Sequence, residues 1–273
     1  MYALPTAPRP IGGVLDDAIR LYRASLGRCW GLALVAGLVS GAVNLYLQLQ
    51  FGTFRVAGAA PQTAATLLSR MQAVERQPGV WLAYLAMIVV WLTLRAAIIA
   101  RQHATAIGSE DSFGAALAFG LRRLPSIIIA GLIWMIVVGA GMVLLLIPGI
   151  WLWGRFELWL VACCVEELGP GMALGRSWQL TEHNWWRATT IMTVALIIVL
   201  VLSLTAGFAV GAVVGFSRGN VALFTLATQV LTGLVGIFTI PMLTVVMLAI
   251  YYDLKLRREG GDLAVRLSSL QPA

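Results

Sequence analysis

The chain has 273 residues, of which 60% are hydrophobic and only 11% are charged, and its formal net charge is +7. Ordinary soluble domains carry about 25% charged residues, so this composition argues against a soluble protein. Several uncharged runs exceed the roughly 20 residues that a helix needs to cross a bilayer, and the segments between them are too short for a catalytic globular domain. The composition predicts an all-α polytopic membrane protein, with one integral membrane domain over residues 1–273.

The first segment of the chain is charged and does not resemble a cleavable signal peptide. Residues 1–28 contain Asp16, Asp17 and four arginines before the first apolar run, and no short apolar region with a small-residue cleavage site follows. We therefore expect the first span to remain as an anchor. At about 100° per residue, the apolar side chains of residues 11–28 share one arc and the charged ones occupy the opposite arc, which is typical of an interfacial helix.

Six spans are predicted, and they pair into three hairpins. Each hairpin follows a lead-in segment whose end is basic or rich in tryptophan, at residues 11–28, 109–123 and 171–187. We expect these lead-in segments to form amphipathic helices on the cytoplasmic membrane face. The predicted spans cover residues 29–50, 80–100, 124–147, 150–165, 188–216 and 221–250.

The predicted orientation of the chain depends on whether the fourth span crosses the membrane. It is short for a span, and the Pro148-Gly149 pair, a strong turn signal, is expected to separate it from the third. With six spans, 13 Lys and Arg residues fall on the side of both termini and 4 on the other side. If the fourth segment instead enters and leaves the membrane on one side, 8 Lys and Arg residues fall on the side of the N-terminus and 9 on the other side. The positive-inside rule therefore favours six spans and cytoplasmic termini.

The cations of the cytoplasmic side are the predicted contacts to lipid. Each Lys or Arg near the surface contributes roughly 1 kcal/mol of attraction to anionic headgroups. Nucleic acid is not expected as a partner, because no basic domain stands clear of the membrane. The candidate lipid contacts are Arg20, Arg23, Arg28, Arg122, Arg123, Lys255, Arg257 and Arg258.

Three charges lie inside the predicted spans: Arg95, Arg155 and Glu157. Charges at that depth are expensive unless they are paired or hydrated, so each one is a candidate functional residue. Arg95 lies near the cytoplasmic end of its span, from which a long side chain can reach the interface. Arg155 and Glu157 are two residues apart, so they face different directions on a helix and need partners elsewhere. Two interpretations remain: a buried structural ion pair, with Arg95 and Glu157 as compatible partners, or a pathway for a solute or protons.

Known catalytic motifs are not recognised in the sequence. His103 and His183 are the two histidines, and neither has a partner at metalloprotease spacing. No nucleophile elbow, phosphate-binding loop or CxxC pair occurs. Cys29, Cys163 and Cys164 are predicted to be free thiols at cytoplasmic span ends. We therefore expect no enzymatic activity, no metal and no cofactor.

Glycines recur at helix-packing spacing in two spans. Such small residues let helix backbones approach closely. Packing inside the bundle and a homo-oligomer seam are both compatible with this pattern. The glycines are Gly37 and Gly41 in the first span, and Gly207, Gly211 and Gly215 in the fifth.

Five stretches of the chain form a recognisable set: Pro10–Arg23, Leu146–Trp151, Ala173–Thr181, Asn184–Arg187 and Tyr251–Gly260. Together they resemble bacterial proteins grouped with the membrane domain of glycerophosphoryl diester phosphodiesterase, and also YciC-like inner-membrane proteins of unknown function. The resemblance implies a bacterial inner-membrane location. It does not imply the named activity, because a catalytic phosphodiesterase domain is not recognised in these residues.

Two functions remain compatible with these patterns. The favoured one is a non-enzymatic multi-pass membrane protein that binds or organises lipid or serves as an accessory subunit, with an unknown membrane partner. The alternative is a transporter or channel for a small polar or lipid-derived solute, built around Arg155 and Glu157.

Overall fold

The computed structural model describes residues 2–51, 77–215 and 221–270. Within these residues the regular secondary structure is entirely helical. The helices are α1 Ile11–Phe51, α2 Pro78–Ile107, α3 Phe113–Leu144, α4 Leu146–Arg155, α5 Trp159–Val165, α6 Pro170–Thr181, α7 Trp185–Gly215 and α8 Val221–Leu270.

The predicted fold class is confirmed. Across the described parts of the chain, 6 helical segments are long and apolar enough to cross a membrane, by length and composition. Each of them overlaps one predicted span. The predicted loops at 52–79 and 217–220 lie almost wholly outside the described residues. The segments are Ile11–Val43, Pro78–Ile107, Phe113–Leu144, Leu146–Val165, Trp185–Ala209 and Gly233–Gly260.

The first two lead-in segments are not separate helices, which differs from the prediction. Helix α1 runs from Ile11 through the expected boundary at Cys29. Helix α3 begins after Ser112, whose side chain accepts a hydrogen bond from the Ala115 N–H at 3.1 Å, and continues into the third span. Both helices pass these boundaries without interruption. The third lead-in does form its own helix, α6, which a three-residue turn separates from α7.

The apolar arcs of the lead-in segments pack against protein. In α1, Val14 and Ala18 are each 3% exposed and Leu21 is fully buried in the main hydrophobic core. In α6, Leu180 lies in the same core at 1% exposure, and Ala173 is fully buried there. The helical periodicity predicted for these segments is therefore confirmed. The protein covers the apolar side chains at these positions.

The turn between the third and fourth spans lies three residues earlier than predicted. The helix is interrupted at Leu145, whose backbone is extended (φ −156°, ψ 132°). Pro148 falls in the first turn of α4, where a residue has no intrahelical N–H partner to lose. A Cβ on Gly149 would lie 2.6 Å from backbone and side-chain atoms of Met142, so only glycine lets α3 and α4 pack this closely here. The Pro-Gly pair shapes the start of α4 and its contact with α3.

The fourth span is divided into two helices. Helix α4 ends at Arg155 and α5 begins at Trp159, so Phe156, Glu157 and Leu158 interrupt the helix. Glu157 is 6% exposed and Leu158 is fully buried. An irregular backbone at membrane depth is tolerated where protein surrounds it, as it does here.

The chain divides into two compact units. The first unit comprises Met1–Trp30, Leu92–Ile197 and Ile240–Ala273. Its core is built by several helices, with Leu21, Ile99, Leu158, Ile191 and Tyr251 exposed by at most 1%. All the candidate site residues of the sequence lie in this unit.

The second unit comprises Gly31–Trp91 and Ile198–Thr239. A Cβ on Gly37 would lie 3.3 Å from the carbonyl oxygen of Gly233, so one predicted glycine serves close helix packing inside the chain. Gly41, Gly207 and Gly211 face open space, with no atom within 4 Å of an added Cβ. A homo-oligomer seam along these glycines stays a prediction.

Candidate functional site

A buried carboxylate of α8, Asp253, binds three basic residues. Asp253 is 4% exposed. Its Oδ2 lies 2.8 Å from the Arg187 Nε and 3.0 Å from the Arg257 Nε, and its Oδ1 accepts a hydrogen bond from the Arg9 backbone N–H at 3.1 Å. The carbonyl oxygen of Arg9 in turn accepts hydrogen bonds from the guanidinium groups of Arg187 and Arg257. These bonds connect the segment before α1 to α7 and α8.

A second carboxylate, Glu166, follows α5 and is equally well satisfied. The Arg176 Nε donates to both of its oxygens at 2.9 Å, and the Tyr251 hydroxyl donates to Oε1 at 2.6 Å. The Lys255 ammonium lies 3.8 Å away, and Arg176 also pairs with Glu259 at 2.6 Å. Burial alone would raise the pKa of Glu166, but the hydrogen bonds from Arg176 and Tyr251 hold that pKa below its ordinary value.

Carboxylates also bind three further predicted lipid contacts. Arg28 lies 4.0 Å from Asp111, whose other oxygen lies 3.0 Å from Arg101 without hydrogen-bond alignment. Arg123 pairs with Glu167 at 2.7 Å, and Arg258 pairs with Glu182 at 3.4 Å. Five of the eight candidate lipid contacts therefore lie within 4.0 Å of a carboxylate of the protein: Arg28, Arg123, Lys255, Arg257 and Arg258.

The remaining three candidates, Arg20, Arg23 and Arg122, are exposed and have no carboxylate partner among the described residues. Arg122 lies over the ring of Phe119, with 5.9 Å between its guanidinium carbon and the ring centroid. Arg20 and Arg23 stand one turn apart on α1. The sequence could not separate these three arginines from most of the other five, because only Arg257 has a partner nearby in the chain and the partners of the other four are distant.

Arg20 and Arg23 line an open cavity of about 600 Å³ between α1 and the segment before it, which we call the arginine pocket. Arg9 and Asp17 also line it, and they form an ion pair at 2.8 Å. Tyr2 lies on its wall, where burial first and the nearby Asp17 carboxylate second raise the pKa of the phenol to about 12. The Tyr2 hydroxyl is therefore protonated at neutral pH and is able to donate a hydrogen bond.

The predicted intramembrane charge Arg155 lies between two tryptophans. Its guanidinium carbon is 5.0 Å from the Trp151 ring centroid and 4.7 Å from that of Trp178. Its NH1 group also approaches the Trp178 carbonyl oxygen at 3.5 Å. Aromatic faces attract a cation in this geometry, so the two tryptophans are the distant partners that Arg155 was expected to need.

The backbone around Arg155 is held by side chains of α6. The Ser177 hydroxyl donates to the Arg155 carbonyl oxygen at 2.9 Å and accepts from the Leu158 N–H at 3.2 Å. The Thr181 hydroxyl also lies 3.1 Å from the same carbonyl. These bonds satisfy backbone groups that the break between α4 and α5 would otherwise leave unpaired. Ser177 and Thr181 are four residues apart, so they share a helix face, but nothing in the sequence indicates this role.

Glu157 lies in that break and has no such support. Both of its carboxylate oxygens are buried, and within the described residues neither has a hydrogen-bond partner. Arg95 instead directs a guanidinium N–H to the Met247 sulfur at 3.8 Å. The structure does not form the Arg95–Glu157 ion pair that the sequence allowed, because the two side chains meet different neighbours.

Two buried polar contacts were not anticipated from the sequence. The Gln102 side chain donates to the Pro241 carbonyl oxygen at 2.8 Å, and the His103 Nδ1 lies 2.5 Å from the Tyr252 hydroxyl. Asp253 was also missed as a centre of contacts, although the spacing of Asp253 and Arg257 at i and i+4 is a recognised signal for a helical ion pair. The other partners are more than 60 residues away and leave no local pattern.

With six helical segments able to cross a membrane and an otherwise helical structure in the described residues, the protein is of the multi-pass helical membrane class. Within that class, the chain belongs to the family described as Domain of unknown function (DUF7847), which matches residues 80–253. This match shows a family of unknown function, and it does not show the glycerophosphoryl diester phosphodiesterase membrane-domain family expected from the motifs. No curated protein and no solved structure matches the chain.

The matched region contains all three intramembrane charges and ends at Asp253. Arg20 and Arg23 lie outside it, in the N-terminal part of α1. The arginine pocket is therefore formed by a part of the chain that the family match does not cover.

Proposed function

We propose that this protein is a non-enzymatic multi-pass membrane protein that binds anionic lipid through Arg20, Arg23 and Arg122. The observation that carries the proposal is that these three arginines are exposed and have no carboxylate partner among the described residues, whereas the other five candidate contacts are paired. An arginine already neutralised by a carboxylate gains little from a lipid phosphate. An unpaired arginine offers its full charge, worth about 1 kcal/mol near an anionic surface.

We further propose that these arginines face the cytoplasm, at the inner membrane of a bacterium. The distribution of Lys and Arg between the two sides of six spans supports this orientation. The finer resemblance to the glycerophosphoryl diester phosphodiesterase membrane domain and to YciC-like proteins supports the same location, and it remains part of the proposal. An accessory role beside another membrane protein is compatible with lipid binding.

A transporter or channel around the fourth span is the second candidate. What favours it is Glu157, a carboxylate buried within a broken helix and without a hydrogen-bond partner in the described residues. Buried ionisable groups in spans often mark proton or solute pathways. Arg155 belongs less clearly to such a pathway, because two tryptophans already bind its guanidinium.

Lipid retention in native mass spectrometry tests the first proposal. Purified protein is offered equal amounts of phosphatidylglycerol and phosphatidylcholine, and we expect preferential retention of phosphatidylglycerol that weakens as salt is raised. Replacing Arg20, Arg23 and Arg122 together with glutamine should remove most of that preference.

The matched control replaces Arg28, Arg123 and Arg258 with glutamine, which changes the net charge equally. These three arginines are paired, so we expect the lipid preference to persist. Equal retention of the two lipids by the wild-type protein contradicts the proposal. If both triple variants lose the phosphatidylglycerol preference equally, the assignment to the unpaired arginines is contradicted.

A further inference from the structure

We infer that the arginine pocket binds a phosphomonoester group, carried by a lipid headgroup or by a soluble phosphate. This inference rests on the proposed function, because it uses two of the same three arginines. It goes further by assigning them a discrete site and a ligand chemistry.

The charges of the pocket match a dianion. Four charged side chains line it, and two of them, Arg9 and Asp17, form an ion pair with each other at 2.8 Å. Arg20 and Arg23 remain, and no carboxylate of the described residues pairs with either of these two positive charges. A phosphomonoester carries about −1.5 to −2 charges at neutral pH, whereas a phosphodiester carries one negative charge. The phosphomonoester therefore compensates both arginines at once.

The spacing of the two arginines suits one phosphate. Residues at i and i+3 on a helix have Cβ atoms about 5–6 Å apart, so both guanidinium groups can reach a common anion. Each planar guanidinium donates two parallel hydrogen bonds to phosphate oxygens. Asp16 lies four residues before Arg20, but it does not line the pocket and forms no ion pair among the described residues. Without an anion, the like charges of Arg20 and Arg23 repel each other.

The opposite wall of the pocket is fixed in place. It consists of the segment from Tyr2 to Arg9, and Arg9 is held through both its N–H and its carbonyl oxygen by the Asp253 cluster. Tyr2 also lies on this wall. A binding site whose walls are already positioned loses less entropy when its ligand arrives.

The pocket also lies close enough to the predicted start of the span for a lipid phosphate to reach it. Helix α1 is continuous, so Arg23 stands six residues before the predicted span start at Cys29, or about 9 Å along the helix axis. The polar headgroup layer on each side of a bilayer is roughly 5–8 Å thick. Arginine side chains are long enough to cover the difference, and the open pocket of about 600 Å³ leaves room for more than a bare phosphate.

The test compares two lipids by native mass spectrometry of the full-length protein. Dioleoyl phosphatidic acid carries a phosphomonoester, and dioleoyl phosphatidylglycerol carries a phosphodiester with the same acyl chains. We expect the wild-type protein to retain phosphatidic acid more strongly. Replacing Arg20 and Arg23 together with glutamine should weaken its binding by about tenfold or more, since two charge-assisted contacts are lost.

Replacing Arg28 and Arg258 together with glutamine is the matched control, because both pair with carboxylates, neither lines the pocket, and the net charge changes equally. We expect this control to change phosphatidic acid binding by less than about twofold, since surface charges that are already paired contribute little. Replacing Arg20 and Arg23 together with lysine should restore part of the affinity, because the charge returns without the bidentate geometry. Circular dichroism of each variant confirms that the helices are intact.

Inorganic phosphate, added at constant ionic strength, distinguishes the two sources of the ligand. Displacement of phosphatidic acid by phosphate supports the site in either case. Displacement at low phosphate concentration indicates a soluble ligand, and displacement only at high concentration indicates a lipid headgroup. A failure of phosphate to compete overturns the inference.

The inference and the proposed function fail in different ways. If phosphatidic acid and phosphatidylglycerol bind equally, or if the Arg28 and Arg258 double variant weakens binding as much as the Arg20 and Arg23 double variant, the discrete site is wrong while anionic lipid binding stands. If neither anionic lipid is retained over phosphatidylcholine, both are wrong.

Discussion

Two carboxylates of similar burial meet opposite surroundings in this protein. Asp253 is 4% exposed and Glu157 is 6% exposed. Asp253 binds two guanidinium groups and a backbone N–H, whereas Glu157 has no hydrogen-bond partner in the described residues. Burial alone therefore does not tell whether an acidic residue stabilises the fold. The comparison indicates that Asp253 has a structural role and leaves Glu157 available for another one.

The largest effect is expected from Asp253→Asn. This change leaves Arg187 and Arg257 without their counter-charge, and removing one partner from a buried pair costs about 3–5 kcal/mol. We expect a clear fall in the melting temperature of the protein in detergent. Asp16→Asn is the control, since Asp16 is exposed and unpaired in the described residues. If the two variants melt alike, the Asp253 contacts are not stabilising.

A smaller, pH-dependent effect is expected at Glu166. Its pKa in the folded protein lies below the ordinary value of 4.5, so its ionised form is stabilised by folding. This stabilisation is fully present above the ordinary pKa and is lost as the pH falls through the lower folded value. We expect the melting temperature of wild type to drop below about pH 4.5 more steeply than that of Glu166→Gln. Parallel pH profiles of the two proteins would refute this contribution.

The smallest effect on stability is expected from Glu157→Gln, and it tests the other side of the comparison. No hydrogen bond is lost, and replacing a buried charge by a neutral group is often neutral or stabilising. The free energy of unfolding of the variant should lie within about 1 kcal/mol of the wild-type value, or above it. A loss of 3 kcal/mol or more would reveal a partner for Glu157 and restore the interpretation as a structural ion pair. A neutral result keeps the transporter alternative open.

The sequence was sufficient for the spans but not for the pairing of charges. Long apolar runs and the 100° periodicity of Val14, Ala18 and Leu21 are local signals, and the structure confirms the helices that they predict. The fourth span was also recognised, because Pro148 marked a change of direction nearby. Its true turn at Leu145 has no residue signature, since an extended leucine is unremarkable in any sequence.

The contacts of the candidate site could not be predicted for a related reason. Arg23 and Arg28 look alike on the same lead-in, yet only Arg28 has an acidic partner, Asp111, which is 83 positions further along the chain. Likewise, nothing in the residues near Arg155 indicates that Trp178 will cover its guanidinium. Local patterns place a charge on a helix face, while its partner depends on which distant helix packs against that face.

The bond between Arg9 and Asp253 also constrains how the protein is made. The two residues are 244 positions apart, so Asp253 is synthesised long after Arg9. At about 5–20 residues per second, a ribosome needs roughly 12 to 50 seconds to cover that distance. During this interval Arg9 lacks its Asp253 partner, and the wall of the arginine pocket is not held as it is in the folded protein. Only after α8 is inserted can the segment before α1 reach its native position.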